Sequence, residues 1–136
     1  MDEATEPATA AIEFAAQWVA AGYHFDFGMR SLQREVDRFL ETQLPEISAI
    51  DQRRKAQAGL GAYVGEALAR LYGGTWGGEF CGTNSGMNFY QSYVAFGEFK
   101  FFPSHYVAYR IANGLSEGTF AAYLSNVLPH MQHTQP

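Results

Sequence analysis

Hydrophobic residues recur every three to four positions over the first half of the chain, which is the period of an amphipathic helix. The pattern predicts a first helix over residues 7–21, with Gly22 placed to end it. It predicts a second helix over residues 29–43, which Pro45 stops because proline lacks the N–H that continues a helix. The apolar stripe of the first helix comprises Ile12, Ala15, Trp18 and Val19.

The third predicted helix has the clearest pattern. Asp51 is placed to cap it and Gly73 to end it. Glycines at positions 59, 61 and 65 each cost about 1 kcal/mol relative to alanine inside a helix, so a compensating close contact is expected there. We interpret that contact as packing, with a bound ligand as the alternative. The stripe expected to be buried comprises Leu60, Tyr63, Val64, Ala67, Leu68 and Leu71.

Beyond residue 73 the hydrophobic period shortens to two, which indicates β-strands. The alternation predicts strands over residues 75–81, 87–96 and 98–101. Gly97 lies between the last two strands and marks a tight reversal of the chain. Three short strands joined in this way form an antiparallel meander.

Two further helices are predicted after the strands. The first covers residues 104–112, and Ser116 is placed to cap the second, which Pro129 closes. The order of elements predicts an α+β fold, in which three N-terminal helices pack on one face of the three-stranded meander and one or two C-terminal helices complete the cover. We expect the 136 residues to form a single domain with frayed ends at 1–6 and 129–136.

Charge is unevenly distributed along the chain. The formal net charge is −5, and residues 1–26 alone hold five acidic and no basic side chains. The remainder is nearly neutral and has no stripe of lysine and arginine to neutralise phosphates, so we expect no nucleic-acid partner. An acidic N-terminal segment is instead suited to a basic protein partner.

The apolar composition excludes a mostly disordered chain, because hydrophobic residues make up 47% and charged residues 17%. No apolar run approaches the ~20 residues of a membrane helix, and no segment has the pattern of a signal peptide. A single cysteine fits a reducing compartment. We expect a soluble, cytoplasmic protein with no membrane partner.

No group of residues has the spacing of a catalytic or metal site. Cys81 is the one thiol, and no base or helix N-terminus adjoins it in sequence to activate it. His130 and His133 lie three apart, with no Asp, Glu or Cys nearby to complete a metal site. We therefore expect no catalytic residue, no metal and no cofactor, and a protein that binds rather than catalyses.

Aromatic residues are concentrated in one region. Ten lie between Phe80 and Tyr109, more than a small sheet can bury, so we expect some of them at a groove or an interface. Glu66 lies four residues before Arg70, the spacing of a surface ion pair on a helix. The candidate binding residues are Tyr63, Glu66, Trp76, Tyr90, Tyr93 and His105.

Two segments have a familiar pattern. Residues 60–68, LGAYVGEAL, continue into YGGTW at residues 72–76. This combination resembles small bacterial proteins of unknown function in which a helix reading LGAYxGE leads into a strand that starts GGxW. Residues 25–32 are similar to the segment that precedes the helix in that family, with Phe27-Gly28 in place of its usual tyrosine-serine.

The resemblance implies a fold and a bacterial, cytoplasmic origin rather than a reaction. Some proteins of this size and type are immunity partners of secreted toxins. We therefore expect a non-catalytic protein-interaction module, of which an immunity-type protein that occludes a toxin or enzyme is one form and a homo-oligomer another. The alternative is a small enzyme or ligand-binding domain with a pocket between the aromatic sheet and the helix face at Gly61 and Gly65.

Overall fold

Five α-helices and one three-stranded sheet make up the described part of the chain. The structure is a computed structural model that describes residues 7–78, 92–113 and 119–132. A π-helical turn (Phe39–Gln43) and a 3₁₀ turn (Leu44–Glu46) follow the second helix directly. The elements in chain order are α1 (Pro7–Val19), α2 (Met29–Arg38), α3 (Ile50–Tyr72), β1 (Thr75–Gly78), β2 (Ser92–Phe96), β3 (Phe99–Phe101), α4 (Pro103–Asn113) and α5 (Phe120–Gln132).

The sheet is an antiparallel meander in the order β1-β2-β3, so the predicted α+β class is confirmed. Val94 at the centre of β2 lies opposite Trp76 on β1 and Phe101 on β3, which places these three side chains on one face of the sheet. Gly97 has a φ of +67° in the two-residue turn between β2 and β3, where its lack of a side chain is needed. The predicted strand residues at 79–81 and 87–91 lie outside the described residues.

Helix α3 occupies the centre of the fold. It packs against α1 on one side and against α4 and β2 on the other, while α5 contacts both α2 and β2. The helices that face the sheet are therefore α3, α4 and α5. The expectation that all three N-terminal helices cover the sheet was wrong for α1, which packs on α3, and for α2, which packs on α5 and α3. Leu60, Val64 and Ala67 are fully buried as predicted.

Leu71 departs from the predicted stripe, because 40% of its surface is exposed. It lies in the last turn of α3, where the helix extends past the buried body and the apolar period continues beyond the surface that covers it. Gly73 then ends the helix as predicted, with a φ of +76° and its N–H donated to the carbonyl of Ala69.

The helical glycines are explained by close packing. A Cβ added at Gly59 would lie 2.6 Å from Cδ1 of Phe14 on α1. A Cβ added at Gly61 would lie 3.0 Å from Oγ of Ser104, and one added at Gly65 would overlap the ring of Trp76. The small-residue face of α3 is thus occupied by side chains of α1, β1 and α4, in agreement with the packing interpretation.

Several predicted helix ends differ from the structure. Helix α3 begins at Ile50 after Ala49, so Asp51 lies in the first turn instead of at the cap, where its negative charge still favours the positive end of the helix. The second helix does not stop before Pro45, because the helical path continues through the π-helical and 3₁₀ turns as far as Glu46. The π-helical turn makes the helical path wider here, next to a groove between α2, α3 and α4.

The last helix also differs at both ends. Thr119 caps it, since its Oγ1 accepts the N–H of Ala122 over 3.1 Å, and Ser116 lies outside the described residues. Pro129 does not close α5, which runs on to Gln132 through residues that were expected to fray. The fully buried Met131 explains the continuation, because burial of this side chain favours helix beyond the proline.

Candidate functional site

Tyr63 is a buried structural residue. Its side chain is fully buried, and its hydroxyl lies 2.8 Å from the backbone nitrogen of Phe27 and 2.6 Å from Oγ of Ser31. Ser31 donates its own proton to the carbonyl of Gly28, so the Tyr63 hydroxyl donates to Ser31 and accepts from Phe27. Burial raises the pKa of Tyr63, against the smaller opposing effect of its hydrogen bonds. The Tyr63 hydroxyl therefore makes both of these hydrogen bonds within the protein.

Phe27 connects the buried tyrosine to the surface. Its φ is +66°, a left-handed conformation that a bulky residue adopts only where its surroundings impose it. Its ring lies 4.8 Å from that of Tyr63, centroid to centroid, and Cζ of Arg70 lies 4.0 Å from the centroid of Phe27. The guanidinium group therefore covers the ring in a cation–π contact.

Glu66 holds that guanidinium in place. One carboxylate oxygen accepts from Nε of Arg70 and the other from Nε1 of Trp76, each over 2.9 Å. The ion pair with Arg70 was expected from the spacing, whereas the bond to Trp76 joins α3 to β1 and has no signal in the helical period. Since both oxygens are engaged, the carboxylate acts as a link between elements, and we assign it no acid–base role.

Tyr93 and His105 belong to a second group on the sheet and α4. The ring of Tyr93 lies against Gly77, and Nζ of Lys100 is 4.7 Å from its centroid. His105 stacks on Phe102 with centroids 5.0 Å apart, and Phe102 meets the edge of Tyr93 at 5.4 Å. Tyr90, the remaining candidate, lies outside the described residues. The structure thus brings Tyr63, Glu66 and Trp76 together through Phe27 and Arg70, and it groups Tyr93 with His105 through Phe102.

Helix α1 presents apolar residues on two opposite faces. Its inner face carries Phe14, Ala15 and Trp18, which pack into an aromatic cluster under α3. Ile12 and Val19 point away from the body and are 52% and 50% exposed, so the predicted single stripe was wrong for these two residues. Ala16 is also exposed beside them, and Glu13 is the one charged residue in the helix. We call Ile12, Ala16 and Val19 the outer face of α1.

A groove of about 530 Å³ lies where the end of α2, the start of α3 and α4 meet. Its charged lining residues are Glu41, Arg53 and Arg110. Arg110 is only 4% exposed, and its Nη2 donates to Oδ1 of Asp37 over 2.8 Å. The apolar lining comprises Leu40, Leu44, Pro45 and Ile111. The sequence patterns give no signal for this groove, because its lining residues come from separate elements.

Three comparisons, with protein-family models, with curated proteins and with solved structures, find no match to this chain. None of the helices within residues 7–78, 92–113 and 119–132 is long and apolar enough to cross a membrane. Within the same ranges, no three His, Cys, Asp or Glu side chains come together in a way that could hold a metal ion.

Proposed function

We propose that the protein is a non-catalytic protein-interaction module that binds a basic protein partner through the outer face of α1. The observation that carries this proposal is the exposure of about half of Ile12 and of Val19 on a helix whose opposite face is already buried in the core. A helix that is apolar on both faces is typical of one that becomes covered on both. The proposed partner buries the outer face of α1.

The spacing of the outer face suits a partner with an apolar groove. Ile12, Ala16 and Val19 stand at i, i+4 and i+7, which are the positions that a helix uses when it docks into a groove. Ile12 and Val19 are about 10 Å apart along the helix axis, since each residue adds about 1.5 Å. The alanine between them allows the partner's surface to approach the helix closely.

Charge favours a basic partner over a second copy of the chain. Residues 1–26 carry five acidic side chains and no basic one, so two copies that met through α1 would bring like charges together. Lysine and arginine around an apolar groove would be attracted to the same segment and would increase the association rate. An immunity-type role in a bacterial cytoplasm, with a toxin or enzyme as the basic partner, is the specific form that the family resemblance implies.

The test uses the protein encoded next to this one as the candidate partner. Both are purified, and their affinity is measured by calorimetry for the wild type and for an Ile12→Asp/Val19→Asp double variant. Loss of at least tenfold in affinity is expected, because two charges would enter an apolar contact. The matched control is Gln17→Asp, an exposed polar position on the same helix, which should retain binding within about threefold.

Thermal unfolding of each variant shows whether the fold is retained, and sedimentation of the wild type shows whether it self-associates. A wild type that is dimeric, with a monomeric double variant, would replace the basic partner with a second copy. Equal affinity of the wild type and a folded double variant for the neighbouring protein would refute the role of the outer face.

A further inference from the structure

A group of polar side chains lies between α2, α4 and α5, at the start of α5. We propose that it binds one internal water molecule, which accepts a hydrogen bond from the hydroxyl of Tyr106 and donates one to the carboxylate of Asp37. This site is separate from the outer face of α1 and does not depend on the proposed function.

The hydroxyl of Tyr106 is the group that needs a partner. Tyr106 is only 8% exposed, and its hydroxyl bonds to no group of residues 7–78, 92–113 and 119–132. A buried hydroxyl that makes no hydrogen bond lowers stability, and the large majority of buried side-chain polar atoms bond to protein or to ordered water. Because the described chain supplies no partner, a bound water is the partner that these rules point to.

The ring of Tyr106 is fixed by other aromatic rings. It stacks on Tyr123, with centroids 4.1 Å apart and planes inclined by 26°, and it contacts Phe120 at 5.0 Å and Phe101 at 6.4 Å. Turning the hydroxyl toward bulk solvent would therefore require these rings to repack. The partner has to come to the hydroxyl instead.

Asp37 lies near Tyr106 but does not bond to it directly. Its Oδ2 accepts the backbone N–H of Phe120, whose ring contacts Tyr106, and its Oδ1 accepts from Arg110, which lies one turn after Tyr106 on α4. Burial raises the pKa of Tyr106, the charge of Arg110 lowers it and that of Asp37 raises it. Asp37 thus acts on the hydroxyl from beyond hydrogen-bond distance, a separation that a bridging water spans.

The charges of the site favour a neutral molecule. Asp37 and Arg110 form an ion pair and neutralise each other, so neither an anion nor a cation is attracted. The two bonds described for Asp37 use one position on each oxygen, whereas a carboxylate has about four. It can therefore accept a further bond from water, as buried waters commonly bond to two or more polar groups.

Oxygen-17 relaxation dispersion of the solvent counts the water molecules that stay bound for longer than the protein takes to tumble. We expect Tyr106→Phe to have one such water fewer than the wild type. Tyr123→Phe is the matched control, because it removes a hydroxyl from the stacked, half-buried ring and should leave the count unchanged. An equal count in the wild type and in Tyr106→Phe, or the same loss in both variants, would overturn the proposal.

Thermal unfolding distinguishes a hydroxyl bonded to water from one without a bond. Removing a bonded hydroxyl should leave the melting temperature of Tyr106→Phe at or below that of the wild type. Removing an unbonded one would raise the melting temperature, because it relieves the cost of burying a polar group, and that result would overturn the proposal. A third measurement needs only the wild type: the ring protons beside the Tyr106 hydroxyl should show cross-relaxation with a bound water. Its absence would also overturn the proposal, whether or not the variant folds.

Discussion

The backbone N–H of Phe27 donates a hydrogen bond to the hydroxyl oxygen of Tyr63 over 2.8 Å, across 36 residues of sequence. This bond anchors the connector between α1 and α2 to the central helix α3. It also holds Phe27 in its left-handed conformation, where the ring contacts both Tyr63 and Arg70. One buried hydroxyl thereby determines the position of an aromatic ring near the surface.

Tyr63→Phe should lower the free energy of unfolding by about 1–3 kcal/mol, because the N–H of Phe27 loses its acceptor and the buried Ser31 hydroxyl loses the hydrogen bond that Tyr63 donates to it. Denaturant unfolding measures the change. Tyr93→Phe is the control, since the contacts described for Tyr93 are made by its ring and phenylalanine retains them. A similar small effect of both substitutions would contradict the network.

Replacing Phe27 separates backbone strain from ring packing. Alanine and glycine both remove the ring, but only glycine adopts a φ of +66° without steric cost. We expect Phe27→Gly to be more stable than Phe27→Ala by about 1–2 kcal/mol, the reverse of the order found inside helices. Thermal or denaturant unfolding of the two variants gives the answer, and a more stable alanine variant would show that the backbone there is not left-handed.

Asp37→Ala should destabilise the protein by about 3–5 kcal/mol, because it leaves the buried guanidinium of Arg110 without its carboxylate. It also removes the acceptor for the N–H of Phe120 at the start of α5. Glu46→Ala, at an exposed position after the same helix, should change stability by less than about 0.5 kcal/mol. Matching losses for the two variants in denaturant unfolding would argue against the buried ion pair.

Stability should fall as the pH rises above 10. Burial raises the pKa of Tyr63, Tyr106 and Tyr123 above their ordinary value of 10.0. A group with a higher pKa in the folded state binds its proton more tightly there, so its contribution is complete below pH 10 and is lost as the pH rises through the folded pKa. Unfolding measured between pH 8 and pH 11.5, with tyrosine ionisation followed by absorbance, checks this prediction. Tyr106→Phe should reduce the slope of the free energy of unfolding against pH. A free energy of unfolding that does not change over this pH range would contradict the prediction.

The elements that sequence patterns predicted well are those whose side chains face one environment. Leu60, Val64 and Ala67 repeat at helical spacing and lie in the core, and Gly97 reverses the chain where alternation is interrupted. The buried face of α1 was harder to predict because apolar residues occupy both of its faces, and periodicity cannot show which face meets the core. The prediction that Leu71 is buried was wrong for a related reason, since the apolar stripe continues past the surface that covers it.

The candidate site was predicted only where its contacts are local. The pair of Glu66 and Arg70 follows from a four-residue spacing, but the bond from Trp76 to Glu66 crosses from a strand to a helix. The link between Asp37 and Arg110 spans 73 residues and has no periodic signature. Contacts of this kind depend on how the elements pack, which no local pattern records.

The position of Asp37 has a consequence for how the protein is synthesised. Its two partners, Arg110 and the N–H of Phe120, lie 73 and 83 residues further along the chain. Because the ribosome adds about 5–20 residues each second, Asp37 is synthesised several seconds before either partner. Until then α2 lacks both its ion pair with α4 and its hydrogen bond from α5, so the nascent chain completes its core only when the last helix has emerged.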